Sequence, residues 1–333
     1  AERPRRRRGR MLLTAVLVAL LSVVLVVAGV TWWALRDVSG NIERIPDAFD
    51  IPEEARPAEV ADGSLNILLA GLDSEDSAGS FEEGAARTDA VMILHLNEAR
   101  DEAFLISIPR DTWVPIPGYG ENKINAAYSF GGPSLYVQTV EELTGLRMDH
   151  LAVIDWSGFR GLTDALGGVE LTFAEPVVTW DGTRYEPGTH TLSGEQALQY
   201  VRERKGLPAG DFDRVKRQQH FLRALMRQLL AGDVRSDPGR LLSLTEAIGE
   251  AAKVDDGLSA TGLAGLVLSL RGLSTDDVTF LTVPTNGAGW AGEASIVVYD
   301  QVDADELWAA VRDDDVAAFL ATHGDLVTGE SVH

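Results

Sequence analysis

Met11 to Leu35, 25 consecutive positions of this 333-residue chain, contains no charged residue, and few water-soluble folds can absorb such a run. A helix needs roughly 20 apolar residues to cross the hydrocarbon of a bilayer. Arg3, Arg5, Arg6, Arg7, Arg8 and Arg10 precede the run, and Trp32 and Trp33 stand near its far end. Arginines stay in the cytoplasm and indoles favour the interface, so the remainder of the chain is expected outside. A cleaved signal peptide has an apolar region of about 7–15 residues and a small-residue cleavage site. This run is longer and ends in tryptophans, so it reads as an uncleaved signal-anchor in the cell membrane. The expected organisation is a cytoplasmic basic segment (1–10), a single-pass transmembrane helix (11–35) and a juxtamembrane stalk (36–63) spaced by Pro46, Pro52 and Pro57. An extracytoplasmic domain (64–325) and a tail (326–333) follow.

The formal charge is −22; residues 1–10 hold six Arg and one Glu, or +5, so residues 11–333 carry −27. So acidic an exterior argues against nucleic acid as a partner. It also makes any local basic cluster informative. Cysteine is absent, which excludes thiolate metal sites and cysteine nucleophiles. The chain has no Walker-type loop, no G-x-G-x-x-G and no G-x-S-x-G elbow. Its histidines (95, 150, 190, 220, 323, 333) show no paired metal spacing, and Trp113, Trp156 and Trp180 read as core or rim residues.

From Ser64 onward the pattern alternates between strand and helix. Leu65–Gly71, Ala90–Leu96 and Ala103–Ile108 are apolar runs of strand length. Leu135–Leu143 reads as helix, Leu151–Asp155 as strand, Ser157–Leu166 as helix and Val169–Phe173 as strand. Ser193 with Gln196 matches a capping box opening a helix to about Val201. Helices are predicted over Phe212–Leu230, Leu241–Ala252 and Asp303–Arg312, with strands near Val278–Val283 and Ser295–Tyr299. This mixture predicts a three-layer α/β/α domain around a central mixed sheet.

If the first three strands form a meander, Asp73, Asp89, Arg110 and Asp111 fall at one end of it. Each aspartate alone also suits a turn; the convergence is what points to chemistry. Carboxylates without nearby His or Cys suit a hard cation such as Mg²⁺, which uses one or two carboxylates plus phosphate oxygens. Arg87 lies two residues before Asp89. A second cluster follows: Arg202 and Arg204, which on an extended segment point the same way, and a helix opening at Asp211. On that helix Arg214, Gln218, Phe221 and Leu225 share a face, polar at its start and apolar beyond. A helix N-terminus attracts anions and arginine forks match phosphate oxygens. The cluster therefore reads as a seat for a phosphate or pyrophosphate head with an apolar tail alongside. Read instead as a solvated face, its arginines pair with Glu203, Asp211 and Asp213. Lys123 and Asn125, after the turn at 115–120, stand within reach of phosphate or sugar.

Seven segments, NILLAGLD (66–73), RTDAVMIL (87–94), ISIPRD (106–111), KINAAYSFGG (123–132), LGGVEL (166–171), LSGEQALQYVRER (192–204) and DFDRVKRQQHFL (211–222), resemble the LytR-CpsA-Psr family of cell-wall glycopolymer transferases, in the family's order. The resemblance implies a sheet flanked by helices that enclose a hydrophobic tunnel for a polyprenyl chain. It implies Mg²⁺, with Mn²⁺ as the alternative ion, near Asp73 and Asp89. It places Arg110, Arg202, Arg204, Arg214 and Gln218 against a pyrophosphate head, with Arg87, Asp111, Lys123, Asn125, Asp211 and Arg217 around the substrate. The loop between Asp73 and Asp89 departs from the family pattern in being long and acidic. The implied reaction moves a glycan from a polyprenyl-pyrophosphate carrier onto a peptidoglycan hydroxyl and releases polyprenyl phosphate, with Asp89 or Asp111 as the base. Two other readings share these residues: a pyrophosphatase using water, and a non-catalytic lipid-binding regulator of the envelope.

Overall fold

The strands that lead to Asp73 and from Asp89 pair with each other at the centre of the sheet. The computed structural model describes residues 43–59, 63–75, 86–203, 207–229 and 246–329. Its strands are β1 (Arg44–Ile45), β2 (Leu65–Leu72), β3 (Thr88–Leu96), β4 (Ala103–Ile108), β5 (Trp113–Ile116), β6 (Gly120–Lys123), β7 (His150–Ile154) and β8 (Val169–Phe173). They continue with β9 (Val177–Val178), β10 (Arg184–Tyr185), β11 (Gly188–Leu192), β12 (Ala252–Asp255), β13 (Val278–Thr282), β14 (Thr285–Ala291) and β15 (Ala294–Tyr299). Among the described residues the helices are α1 (Ala126–Thr144), α2 (Trp156–Ala165), α3 (Gly194–Arg202), α4 (Asp211–Leu229), α5 (Ala260–Ser269), α6 (Gln301–Arg312) and α7 (Val316–Leu320), and residues 246–251 are helical as well.

Seven strands form one mixed sheet in the order β1-β12-β7-β2-β3-β4-β13. β2, β3 and β4 are the antiparallel meander expected, while β7 joins β2 and β13 joins β4 in parallel. Strand alternation sends Leu68, Ala70, Val91 and Ile93 to one side, against Tyr136 and Val137 of α1 and Leu307 and Trp308 of α6. Ile67, Leu69, Met92 and Leu94 face the other side, with Leu222 and Met226 of α4. Burial of both faces is why these strands read as near-continuous apolar runs. The result is the three-layer α/β/α arrangement with a mixed central sheet.

The capping box is present: Ser193 accepts from the Gln196 amide, and the Gln196 side chain accepts from the Ser193 amide at 2.9 Å. Helix α1 begins nine residues before the predicted Leu135, because the helix runs through a break at Gly131 and Gly132. Gly132 has φ 65°, a conformation that L side chains resist, which is why the sequence there looked like a loop.

Three further expectations about the layout of the chain differ from the structure. Of the segment read as stalk, residues 43–59 pack on the domain: Ile45 and Ala48 are buried, and Arg56 pairs with the buried Glu141. The helix predicted up to Ala252 stops at 251, and β12 takes residues 252–255 into the sheet. Its charged positions are what hid it. Lys253 is buried by pairing with Glu43 at 2.7 Å, and Asp255 by pairing with His150 at 3.1 Å. The tail also belongs to the domain as far as it is described: Val327 bridges to Leu281, and the Thr328 amide donates to the Phe280 carbonyl at 2.9 Å. The basic segment 1–10, the anchor 11–35, the stalk positions 36–42 and 60–62, Arg204, residues 76–85 and the tail positions 330–333 lie outside the described residues.

Candidate functional site

At the end of the meander the ladder breaks in one place. Gly71 pairs with Ala90 and Leu72 with Thr88, so Asp89 is the extra residue of a β-bulge. A bulge of this kind re-aims its side chain, and here it turns a carboxylate out of the ladder. Asp73 follows β2 directly, its amide donating to the Arg87 carbonyl at 2.9 Å. Arg110 follows β4 two residues later and forms an ion pair and hydrogen bond with Asp89. Its Nε lies 3.7 Å from Asp211 and 3.9 Å from Asp111.

Helix α4 brings the second cluster to the same place. Arg214 is 1% exposed, pairs with Asp211 one turn earlier and lies 3.9 Å from Asp89. Its three guanidinium nitrogens and both Asp211 oxygens are buried and, among the described residues, make no hydrogen bond. Buried donors in a folded protein are ordinarily satisfied, so a desolvated arginine held only by ion pairs is ready to receive further oxygens. Burial lowers the Arg214 pKa against the opposing pull of Asp211, and burial raises that of Asp211 against Arg214. For Arg110, burial acts downward, but Asp89, Asp111 and Asp211 carry the pKa above its usual value. Asp73 is pushed up by burial and then by the nearby Asp89 charge.

Arg202 ends α3, so the extended geometry predicted for Arg202 and Arg204 does not hold for Arg202; the helix runs one residue further than its sequence pattern indicates. Its guanidinium lies over the Trp156 ring and reaches Asp73 at 3.7 Å. Lys123 pairs with Asp111 at 3.0 Å. Asn125 is buried at the start of α1, its amide donating to the Arg110 carbonyl at 3.2 Å. Arg217 is buried with its guanidinium over Tyr200, and burial lowers its pKa. Arg87 is exposed, and the structure places only its carbonyl in the site.

Beside this cluster lies a cavity of about 260 Å³ between the sheet and α2, α3 and α4. Leu69, Met92, Phe159, Phe221 and Leu222 form its apolar wall, and Asp89, Arg202 and Gln218 stand on its lining as polar members. The spacing of Arg214, Gln218 and Phe221 along α4 anticipated this change from polar to apolar. Trp156, read as core or rim, was the residue missed: it lines the cavity and supports Arg202. Its position directly after the β7 strand, next to the helix cap Asp155, was the available signal.

The fold and site define an α/β protein in which interleaved arginines and aspartates stand at the edge of an apolar cavity. The chain belongs to the LytR_cpsA_psr family, whose model matches residues 42–313. The probable cell wall biosynthesis protein LcpB of Corynebacterium glutamicum is 34% identical over 300 residues, covering 85% of this chain and 67% of that protein. The cell wall biosynthesis protein LcpA of the same organism is 31% identical, covering 84% of this chain and 62% of its own length. The chain thus spans roughly two thirds of these relatives. Among solved structures, TagT bound to LI-WTA aligns with a TM-score of 0.60 and 26% identity, over 78% of this chain and 94% of that one.

Proposed function

We propose that this chain is a phosphotransferase that moves a glycopolymer from a polyprenyl-pyrophosphate carrier onto a peptidoglycan hydroxyl at the outer face of the cytoplasmic membrane. The observation that carries this reading is the buried Arg214, with its unsatisfied donors, beside Asp89 and an apolar cavity. Asp73, Asp89, Asp111 and Asp211 stand against Arg110, Arg202, Arg214 and Lys123, so the cluster is near neutrality as it stands. A doubly charged pyrophosphate diester therefore fits best together with a divalent cation. Asp73 and Asp89 are crowded carboxylates with hard oxygen donors, which suits Mg²⁺ (or Mn²⁺) completed by phosphate oxygens. Bound there, the ion would neutralise charge on the phosphate oxygens.

The chain's own residues account for the rest of the reaction. Arg110, Arg202 and Arg214, with Arg204 and Gln218, hold the pyrophosphate; the apolar wall takes the first isoprene units of the carrier. The acceptor hydroxyl oxygen bonds to the sugar-proximal phosphorus, the bond from that phosphorus to the bridging oxygen breaks, and polyprenyl phosphate leaves with the electron pair. Asp111 is the better placed base. Its close partner is a single lysine, Lys123, whereas two arginines, Arg110 and Arg214, hold Asp89. Guanidinium groups aimed at charge that grows in the transition state are the main source of rate in such transfers.

The test is transfer of a labelled glycan from a short-chain polyprenyl-pyrophosphate donor to peptidoglycan strands by the purified protein. Acceptor-dependent release of polyprenyl phosphate supports the reading. Release at the same rate without acceptor makes the protein a pyrophosphatase, and binding of donor without any release makes it a lipid-binding regulator.

A further inference from the structure

The hairpin of β14 and β15 leaves the sheet at the same end as Arg110. β13 runs parallel to β4, Val283 donates to the Ser107 carbonyl, and β14 starts two residues later and continues outward. On the way back, the Val297 amide donates to the Asp111 carbonyl at 2.9 Å, and Val297 bridges in parallel to Thr112. Trp290, paired with Ser295, therefore stands two residues further out than this junction, on the second strand from Asp111. Strand spacing puts it on the order of 10–15 Å from the Asp111 main chain. It is 74% exposed, the most exposed large hydrophobic side chain among the described residues, and no ring or cation stacks on it there.

We propose that Trp290 is the platform of a glycan subsite, on which a sugar ring of the acceptor strand stacks while a hydroxyl of the same strand reaches Asp111. This rests on the transfer reading given above. The indole face is electron-rich, and the C–H faces of a pyranose present the matching partial positive charge. The hairpin around it is built from small or polar residues: Asn286, Gly287, Ala288, Gly289, Ala291 and Ser295. Gly289 leaves no room for a side chain, since a Cβ there would sit 2.6 Å from Val298. The ring stands exposed among these small residues on a narrow ribbon, with the exposed Glu293 in the hairpin turn as a hydrogen-bonding group. A lipid surface is the other class of occupant for an exposed tryptophan. It calls for further apolar or cationic side chains at the tip, whereas this tip carries Glu293 on a domain of strongly negative charge.

The experiment compares wild type, Trp290→Ala and Trp290→Phe, with the exposed Trp180→Ala on the separate β9–β10 hairpin as a control. Binding of a β-1,4-linked N-acetylhexosamine tetrasaccharide is measured by calorimetry, and binding of inorganic pyrophosphate with Mg²⁺ in parallel. The expected result is about tenfold weaker tetrasaccharide binding in Trp290→Ala, partial recovery in Trp290→Phe, no change in Trp180→Ala and unchanged pyrophosphate binding. In transfer assays the acceptor KM rises while donor KM stays constant. Equal tetrasaccharide affinity in wild type and Trp290→Ala overturns the proposal. So does a Trp290-dependent response to phosphatidylglycerol vesicles with none to the sugar. Failure of pyrophosphate binding in wild type would overturn the transfer reading instead, and is seen separately from the sugar result.

Discussion

The guanidinium carbon of Arg202 lies 3.6 Å from the centre of the Trp156 ring. The indole stiffens an arginine that, at the end of a helix and about one-third exposed, would otherwise sample many rotamers on its way to Asp73. A cation over an indole is worth about 0.5–2 kcal/mol. Trp156→Ala is therefore expected to raise the donor KM by roughly three- to thirtyfold, and Trp156→Phe by less. Unchanged donor kinetics in Trp156→Ala would show that Arg202 does not depend on the ring.

Arg214 is the arginine whose loss should be felt most. Arg214→Ala is expected to lower transfer by about 100–1,000-fold, the usual cost of a missing charge-stabilising donor. It should also destabilise the fold by about 3 kcal/mol, because Asp211 is left buried without its partner. Adding Asp211→Asn is expected to restore part of the stability and none of the activity. Urea unfolding and transfer rates on the same three proteins separate the two roles.

Chelation of divalent ions should stop transfer, and added Mg²⁺ or Mn²⁺ should restore it. Asp73→Asn is expected to weaken Mg²⁺ binding about tenfold or more, read by calorimetry in the presence of inorganic pyrophosphate. Arg87→Ala, which removes an exposed side chain and keeps the carbonyl, should leave that binding unchanged. Equal Mg²⁺ affinity in Asp73→Asn and wild type would remove Asp73 from the ion site.

Stability should fall on acidification through His220. Burial, reinforced by Arg223 and Arg227, brings its pKa from 6.5 down to about 4, and Nδ1 lies 3.0 Å from the Tyr200 hydroxyl. In the unfolded chain the imidazole takes a proton at its ordinary value, so between those two pH values the unfolded state holds more protons. Stability is therefore present above pH 6.5 and lost progressively toward pH 4, by up to roughly 3 kcal/mol. His220→Gln should flatten that slope in urea unfolding between pH 7.5 and 4.5; parallel curves for the two proteins would contradict this.

The end of the sheet that carries Asp73, Asp89 and Arg110 was legible in the sequence because it rests on neighbours along the chain. Three apolar runs that are consecutive in the chain fold as a meander, and Asp73, Asp89 and Arg110 stand at their ends whatever surrounds them. The face of α4 was legible for the same reason, since helical spacing alone joins Arg214, Gln218 and Phe221. What stayed hidden depends on long-range packing. The bulge that frees Asp89 arises from a register shift against β2, and the indole under Arg202 comes from a helix 46 residues earlier in the chain. β12 escaped because its Lys253 and Asp255 look like surface residues until Glu43 and His150 are placed beside them.

The two-residue strand β1 has a consequence for how substrate arrives. It runs parallel to β12, which is antiparallel to β7, and β7 is parallel to β2. The chain therefore descends into the domain from the rim that carries Asp73, and Glu43 is clasped there by Lys253. If Met11–Leu35 crosses the membrane as the sequence predicts, only seven residues, 36–42, separate it from the described domain, a leash of about 25 Å at most. So short a leash, entering on that side, would keep the arginine-lined rim turned toward the bilayer, and a carrier lipid would need to rise only a short way out of the leaflet to be seized.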